Sequence, residues 1–362
     1  LSQYSWLNEV ASQSLQMAIQ QLDDAYKRFF KQQGGYPNFK SKHESIQSCS
    51  FPQSVRVKDN RVYVPKFLKN GIRAKLHREL PEGASIKQAT ISKKNNKYYV
   101  SISFDDNMPT PKPVAAQSSI GLDVGINSLV ATSKDIKIAN PRYTKKYARM
   151  LKLASRHLDR KQHSRKKGDT TPKSKRYLKQ QLKVARIHEK IANSRSDYIH
   201  KMTNEITNQY DVICIEDLNV KGLIKNHKLS KHIADVAWGE LRRQLEYKSE
   251  RRGKILIKVD RWLPSSQTCS SCLSPTGKKP LNIRTFTCPV CGTVHDRDNN
   301  AAKVIEYYGL LIFFTLGYEH NLSAGTVDYT RGGPSGGDGD SITIVAPSSY
   351  GSVKREALTS LG

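Results

Sequence analysis

Apolar residues recur at helical spacing near the start of the chain. Leu15, Ala18, Ile19, Leu22, Ala25, Tyr26 and Phe29 follow i, i+3, i+4 and i+7, which predicts one amphipathic helix over residues 4–32. Gly34, Gly35 and Pro37 end it. A basic stretch, Phe39-Lys40-Ser41-Lys42, follows and could meet phosphates. Across residues 50–105 the period becomes two. Val55-Arg56-Val57 and Val62-Tyr63-Val64 flank a turn at Asp59-Asn60, and a second pair of runs, Ala89 to Ser92 and Tyr98 to Phe104, flanks Lys93 to Lys97. Both predict hairpins, and together a small antiparallel barrel or sheet with one wet face. Basic turns and Tyr98/Tyr99 there suit RNA contact. Met108-Pro109-Thr110-Pro111-Lys112-Pro113 reads as a linker and domain boundary over 107–117.

A second domain is predicted from residue 118. Ile120 to Val124, Ser128 to Thr132 and Ile136 to Ile138 read as short strands in a meander. Leu151, Leu153, Leu158, Tyr177, Leu178, Leu182, Val184 and Ile187 predict two long helices, broken at Gly168–Pro172 and continuing through Ile206. The β-branched run Asp211 to Glu216 predicts a buried central strand. Residues 233–251 read as helix, Gly253 to Asp260 as strand and Asn299 to Tyr308 as helix. Residues 331–340 are Gly-rich and read as low-complexity tail. The longest apolar run, Gly309 to Leu316, is short of the roughly 20 residues of a membrane span.

Charge narrows the function. The 362 residues carry 60 Lys+Arg against 32 Asp+Glu, a net charge of +28, which predicts a polyanionic partner, most often nucleic acid. Residues 141–190 hold 18 Lys/Arg against Asp159, Asp169 and Glu189. A charge run is ordinarily a solvated face, but one so nearly single-signed favours a nucleic-acid groove. Candidate contacts are Lys145, Lys146, Arg149, Arg156, Arg160, Arg165, Lys166, Lys167, Lys173, Lys175 and Arg176. The chain shows no signal peptide, so a reducing compartment, without disulfides, is expected.

Four of the six cysteines form two C-x-x-C pairs. Cys269/Cys272 and Cys288/Cys291 are separated by 15 residues, the spacing of a four-cysteine zinc site. Four sulfurs leave no open position, so this zinc is expected to be structural. The module's Lys278, Lys279 and Arg284 suit DNA or RNA contact. Cys49 and Cys214 are isolated and read as small packing residues.

In a chain this basic, acids beside apolar runs need an explanation, because a buried carboxylate is costly unless paired or metal-bound. Three stretches show the pattern: Gly121 to Asn127, Val212 to Leu218 and His295 to Ala302. Asp123 lies on the first strand, Glu216 ends the buried strand, and Asp298 opens the last helix two residues after Asp296. Strand alternation turns Glu216 and Asp217 to opposite faces, so only one can join Asp123. Such a set could clamp a scissile phosphate through two Mg2+ ions about 4 Å apart, since Mg2+ takes hard oxygen ligands.

These stretches resemble the split RuvC-like nuclease signature. With the cysteine module just before the third, the chain looks like TnpB, the RNA-guided DNA endonucleases of insertion-sequence transposons, long described as transposases and related to compact type V CRISPR effectors. The match runs from about Tyr4 to Ala324. It rests on Gly121-Leu122-Asp123-Val124-Gly125, Ile215-Glu216-Asp217-Leu218-Asn219, Cys269-Ser270-Ser271-Cys272 and Asp296-Arg297-Asp298-Asn299-Asn300-Ala301-Ala302. The resemblance implies Asp123, Glu216 and Asp298 as catalytic carboxylates binding magnesium (or Mn2+), and selects Asp298 over Asp296. The implied fold is α/β plus β: an RNase H-like (RuvC) domain with an inserted zinc ribbon, preceded by a β-barrel wedge domain and remnant recognition helices.

The expected boundaries are 1–45 for the recognition remnant, 46–117 for the wedge, and 118–262 for the nuclease domain. The target-binding zinc ribbon follows at 263–295, then the third-motif helix at 296–325 and a disordered tail at 326–362. A guide RNA from the transposon end, double- and single-stranded target DNA and a short adjacent motif are implied partners. Relatives carry a basic strand and helices before the equivalent of Tyr4, so an N-terminal truncation is expected. The rival readings are a non-catalytic nucleic-acid-binding relic that regulates transposition, and an unguided junction or RNA nuclease on the same fold.

Overall fold

The computed structural model describes residues 2–39, 46–67, 69–109, 111–161, 173–226, 230–280 and 282–318. The basic stretch from Lys40 to Lys42, the helix break at Gly168–Pro172, Arg165, Lys166, Lys167 and the tail 326–362 lie outside them.

The predicted first helix is two pieces. A 3-10 helix spans Ser2–Glu9, and helix α1 spans Ser12–Phe30. Ala11 between them is extended and buried against Phe51, Val62 and Val64. Ser14 donates to the Ser50 carbonyl at 2.9 Å. Packing on the neighbouring strands therefore overrides the continuous helical pattern.

Those strands are β1 (Ile46–Phe51), β2 (Arg56–Lys58), β3 (Arg61–Tyr63), β4 (Ile72–Arg73), β5 (Ser85–Lys94) and β6 (Lys97–Asp105). They form two antiparallel sheets, β1-β5-β6 and β2-β3-β4, that share one small core. Among the described residues no closed barrel of paired strands forms. Both predicted hairpins are present. Asp59-Asn60 and Asn95-Asn96 each take positive φ at both positions, the geometry of a two-residue turn that matches strand twist.

The far end of the Pro-rich segment is not a free linker. Ala116 is fully buried, and the Val114 N–H donates to the Gly253 carbonyl at 3.0 Å.

The central sheet has the order β11-β10-β7-β8-β9. Its strands are β7 (Ser119–Val124), β8 (Ser128–Thr132), β9 (Lys137–Ala139), β10 (Val212–Glu216) and β11 (Ile255–Val259). The first three form an antiparallel meander, and β10 runs parallel to both β7 and β11. Helices α2 (Tyr143–Lys146), α3 (Ala148–Asp159) and α4 (Lys175–Gln209) fill the long connection between β9 and β10. Helices α5 (Val220–Ile224), α6 (Ser230–Val236) and α7 (Trp238–Arg251) link β10 to β11. The predicted 233–251 helix is thus split, at Ala237 in the left-handed region. A short hairpin, β12 (Thr285–Thr287) and β13 (Val294–Asp296), precedes helix α8 (Arg297–Thr315).

Strand parity divides the core. Ile120, Leu122, Ile213 and Ile215 pack with residues of α4, α6 and α7. Val212 and Cys214 face the other way and pack with Ile305, Leu310 and Phe313 of α8. The apolar run after Tyr308, which looked separate, is the second half of this buried helix. No helix among the described residues is long and apolar enough to cross a membrane. The approach of α8 is unusually close. A Cβ at Gly121 would lie 2.1 Å from the Ala302 carbonyl oxygen, and one at Gly309 would lie 2.3 Å from the Cys214 sulfur. Bare Cα positions on both partners let the helix lie down on the strands.

Candidate functional site

The same parity positions the acids. In the parallel register Ile215 lies opposite Leu122. One residue further on, Glu216 and Asp123 sit side by side at the C-terminal edge of two strands, on the face that α8 covers. Asp298 lies in the first turn of α8. Asp123 keeps some open surface but is enclosed by protein atoms on most sides. Burial pushes its carboxyl well above the usual range, and the negative charges of Glu216 and Asp298 push it further, with Arg297 and Lys137 opposing. Burial also raises Glu216, against a hydrogen bond from the Ser265 hydroxyl at 2.6 Å. Glu216 and Asp298 are therefore near enough to Asp123 to disfavour its ionisation.

The neighbouring acids have other partners. Asp296 caps α8, accepting from the Asp298 and Asn299 N–H groups at 3.1 Å each, and pairs with Lys137 at 2.7 Å. Burial opposes its ionisation, yet Lys137 and those N–H groups outweigh it and hold the carboxyl low. Asp217 turns away from Asp123 and takes Arg242 at 2.8 Å and Arg261 at 2.7 Å. Asp298 receives only longer contacts, from Arg284 at 3.4 Å and Lys137 at 3.8 Å.

The four cysteines converge more tightly. Among the described residues, Cys269, Cys272, Cys288 and Cys291 are the group whose ligand atoms all lie within 4.8 Å of one another, and they could hold a metal ion. Asp123, Glu216 and Asp298 do not make up such a group. Burial pushes the Cys269 thiol up to about 12. The Thr293 hydroxyl and backbone hold Cys291 down to about 6. A soft divalent cation among the sulfurs would favour the thiolate at all four positions.

Three residues at these sites were given no role by the sequence. Ser265 orients Glu216. His295 places Nε2 at 3.2 Å from the Cys269 sulfur. Asn300, buried, accepts from the Ser270 N–H at 2.8 Å and donates to the Thr268 carbonyl at 2.7 Å. It ties the first cysteine turn to α8, two residues from Asp298. Each acts on a partner far away in sequence, which no local pattern reveals.

The basic candidates divide. Lys145, Lys146, Arg149, Arg156, Arg160, Lys173, Lys175 and Arg176 are exposed on or beside α2, α3 and the start of α4, and Lys278 is exposed on the cysteine module. Two expected nucleic-acid contacts are engaged elsewhere. Lys279 lies 3.9 Å above the Phe286 ring and donates to the Ser266 carbonyl at 3.2 Å. Arg284 points to Asp298. Both serve the module's own packing or the carboxylate edge. Tyr99 is engaged too, donating at 2.8 Å to Glu189 of α4, where the β5–β6 hairpin docks.

Comparison with known proteins gives these sites a lineage. Residues 100–227 match a family model described as "Probable transposase", and residues 238–305 match the "Cas12f1-like, TNB domain" model. A protein of Streptomyces pristinaespiralis named "Putative RNA-guided DNA endonuclease" is 38% identical over 84% of this chain and 73% of its own length. The Escherichia coli K12 protein "Putative RNA-guided DNA endonuclease InsQ" is 30% identical over 83% of this chain and 75% of its own. A solved Cas12f1–sgRNA–target DNA complex aligns with TM-score 0.49 and 17% identity, over 77% of this chain and 67% of that one. At this identity and coverage, carried across both family models, the chain belongs to the TnpB family.

Proposed function

We propose that this protein is an RNA-guided, Mg2+-dependent DNA endonuclease. In this reading an RNase H-like (RuvC) domain hydrolyses phosphodiesters at Asp123, Glu216 and Asp298. The observation that carries it is the placement of Glu216 and Asp123 side by side at one strand edge, with Asp298 of α8 near enough that both neighbours raise the Asp123 carboxyl. A buried carboxylate flanked by two further acids suits hard divalent ions. The strand order, a meander followed by two parallel strands, supports the fold assignment.

Bound Mg2+ would activate water for in-line attack and stabilise the leaving oxygen. The chain's own residues prepare the place. Ser265 fixes one oxygen of Glu216 and leaves the other open. Lys137 and Arg284 each reach a different oxygen of Asp298. Asp296 is held in the cap and so kept apart from the reacting centre. The four cysteines suit a structural Zn2+, which would hold the module on α8 through Asn300. The exposed cations of α2–α4 suit the phosphate backbones of a guide RNA from the transposon end and of double- and single-stranded target DNA. Base pairing would then read the sequence beside a short adjacent motif.

The test is to express the chain beside its own locus and sequence the RNA that co-purifies. The complex is then challenged with plasmids that do or do not carry the matching sequence. A discrete element-end transcript, with Mg2+-dependent cutting of the matched plasmid alone, supports the reading. Random host RNA and no cutting would reject it.

A further inference from the structure

The turn after β11 carries an outward-facing tryptophan, Trp262, a few residues past the strand edge that bears Glu216. Val259 pairs with Glu216 in the parallel register, so the chain leaves the sheet at the edge where Glu216 sits. Trp262 follows within three residues, and its side chain is 84% exposed. Trp238, in the core beneath the same sheet, is 9% exposed.

This exposure is not slackness of the turn. The Trp262 N–H donates to the Asp260 carboxylate at 2.7 Å. The Leu263 N–H donates to the Asp260 carbonyl at 3.1 Å. Arg261 is pinned to Asp217 at 2.7 Å, and Leu263 packs against the buried cluster beneath α8. Ser265, three residues on, holds Glu216. The backbone is thus fixed on both sides of an indole that faces water. Large aromatic side chains gain stability by burial, and a fixed turn that turns one outward leaves that gain for a ligand.

We infer that Trp262 is a base-stacking platform for the single-stranded DNA whose phosphate enters the carboxylate edge. The inference rests on the nuclease reading and adds a contact to it. The chemistry fits on three counts. Every base has a flat π face, so stacking is tolerant of sequence, as a guided enzyme requires. The protein's charge of +28 draws in a polyanion. At most about 11 Å of extended chain separates Trp262 from Ser265, the span of a few nucleotides. A base stacked on Trp262 would hold the strand in register while its neighbouring phosphate meets Glu216 and Asp123. Trp262 is a binding residue in this scheme and transfers no proton.

The experiment follows tryptophan emission of the purified full chain, without added divalent ion, during titration with a short oligothymidylate at fixed salt. The inference predicts quenching on binding. Trp262→Ala should lose that quenching and bind roughly tenfold more weakly, the scale of one stacked base. Trp262→Phe should lose the quenching but keep most of the affinity. Unchanged melting temperature and zinc content in both variants would exclude a folding defect, as expected for an exposed ring. Wild-type affinity and quenching in Trp262→Ala would overturn the proposal. A response to oligouridylate with none to oligothymidylate would overturn the assignment to the DNA strand. Neither result depends on cleavage, so failure here is distinguishable from failure of the nuclease reading, which metal-dependent cutting tests separately.

Discussion

Replacing Gly121 by Ala isolates the close approach that brings the third acid to the other two. The added Cβ would lie 2.1 Å from the Ala302 carbonyl oxygen and 2.7 Å from the Glu306 nitrogen. Both are backbone atoms of α8, so no side chain can swing aside. An ordinary contact begins at 3.4 Å, so the helix must retreat by about 1.3 Å or tilt. Overpacking of this kind costs roughly 1–3 kcal/mol. Ala302 is one turn from Asp298, so the acid moves with the helix. A displacement of about 1 Å at a reacting centre can cost on the order of a hundredfold in rate. Thermal unfolding and single-turnover cleavage, measured on the same preparation, should therefore both fall, and the cleavage loss should exceed what unfolding explains. A Gly121→Ala protein with wild-type melting and wild-type rate would refute the packing argument and the link from α8 to the acids.

Three further outcomes follow from the same geometry. Asp123 has a carboxyl raised well above 3.8 by burial and by Glu216 and Asp298, so the folded state holds its proton at pH values where the unfolded chain has lost it. Metal-free wild type should lose stability relative to Asp123→Asn as pH rises above about 4, and pH-dependent melting in chelator would show it. Ser265→Ala removes the hydrogen bond that opposes the raised carboxyl of Glu216. The rising limb of the cleavage–pH profile should move to higher pH and the rate fall about tenfold, with Ser265→Thr restoring both. With a structural Zn2+ at the four cysteines as proposed, a zinc chelator should lower the melting temperature sharply, with recovery on adding Zn2+ but not Mg2+.

What the sequence revealed and what it hid have separable causes. The run Val212 to Glu216 was legible because a strand buried on both faces needs continuous apolar residues, and alternation showed that only one of Glu216 and Asp217 could join Asp123. The turns Asp59-Asn60 and Asn95-Asn96 were legible because few other residues accept positive φ twice in succession. The interrupted first helix was hidden, since its break answers to strands some forty residues away. The split at Ala237 was hidden for a similar reason, with no Gly or Pro to mark it. The acids stood out against a basic background, whereas Ser265 and Asn300 are ordinary polar residues whose importance lies wholly in their distant partners. The intramolecular contacts of Lys279 and Arg284 were hidden because a cation in a loop signals phosphate and internal packing equally well.

The central claim is that Asp123, Glu216 and Asp298 form a divalent-metal site. Its most direct test is anomalous scattering from crystals of the protein soaked in Mn2+. The account predicts strong peaks at the carboxylate edge, liganded by all three acids, that disappear in Asp123→Asn. Peaks at the cysteines alone, with none at the three acids, would contradict it.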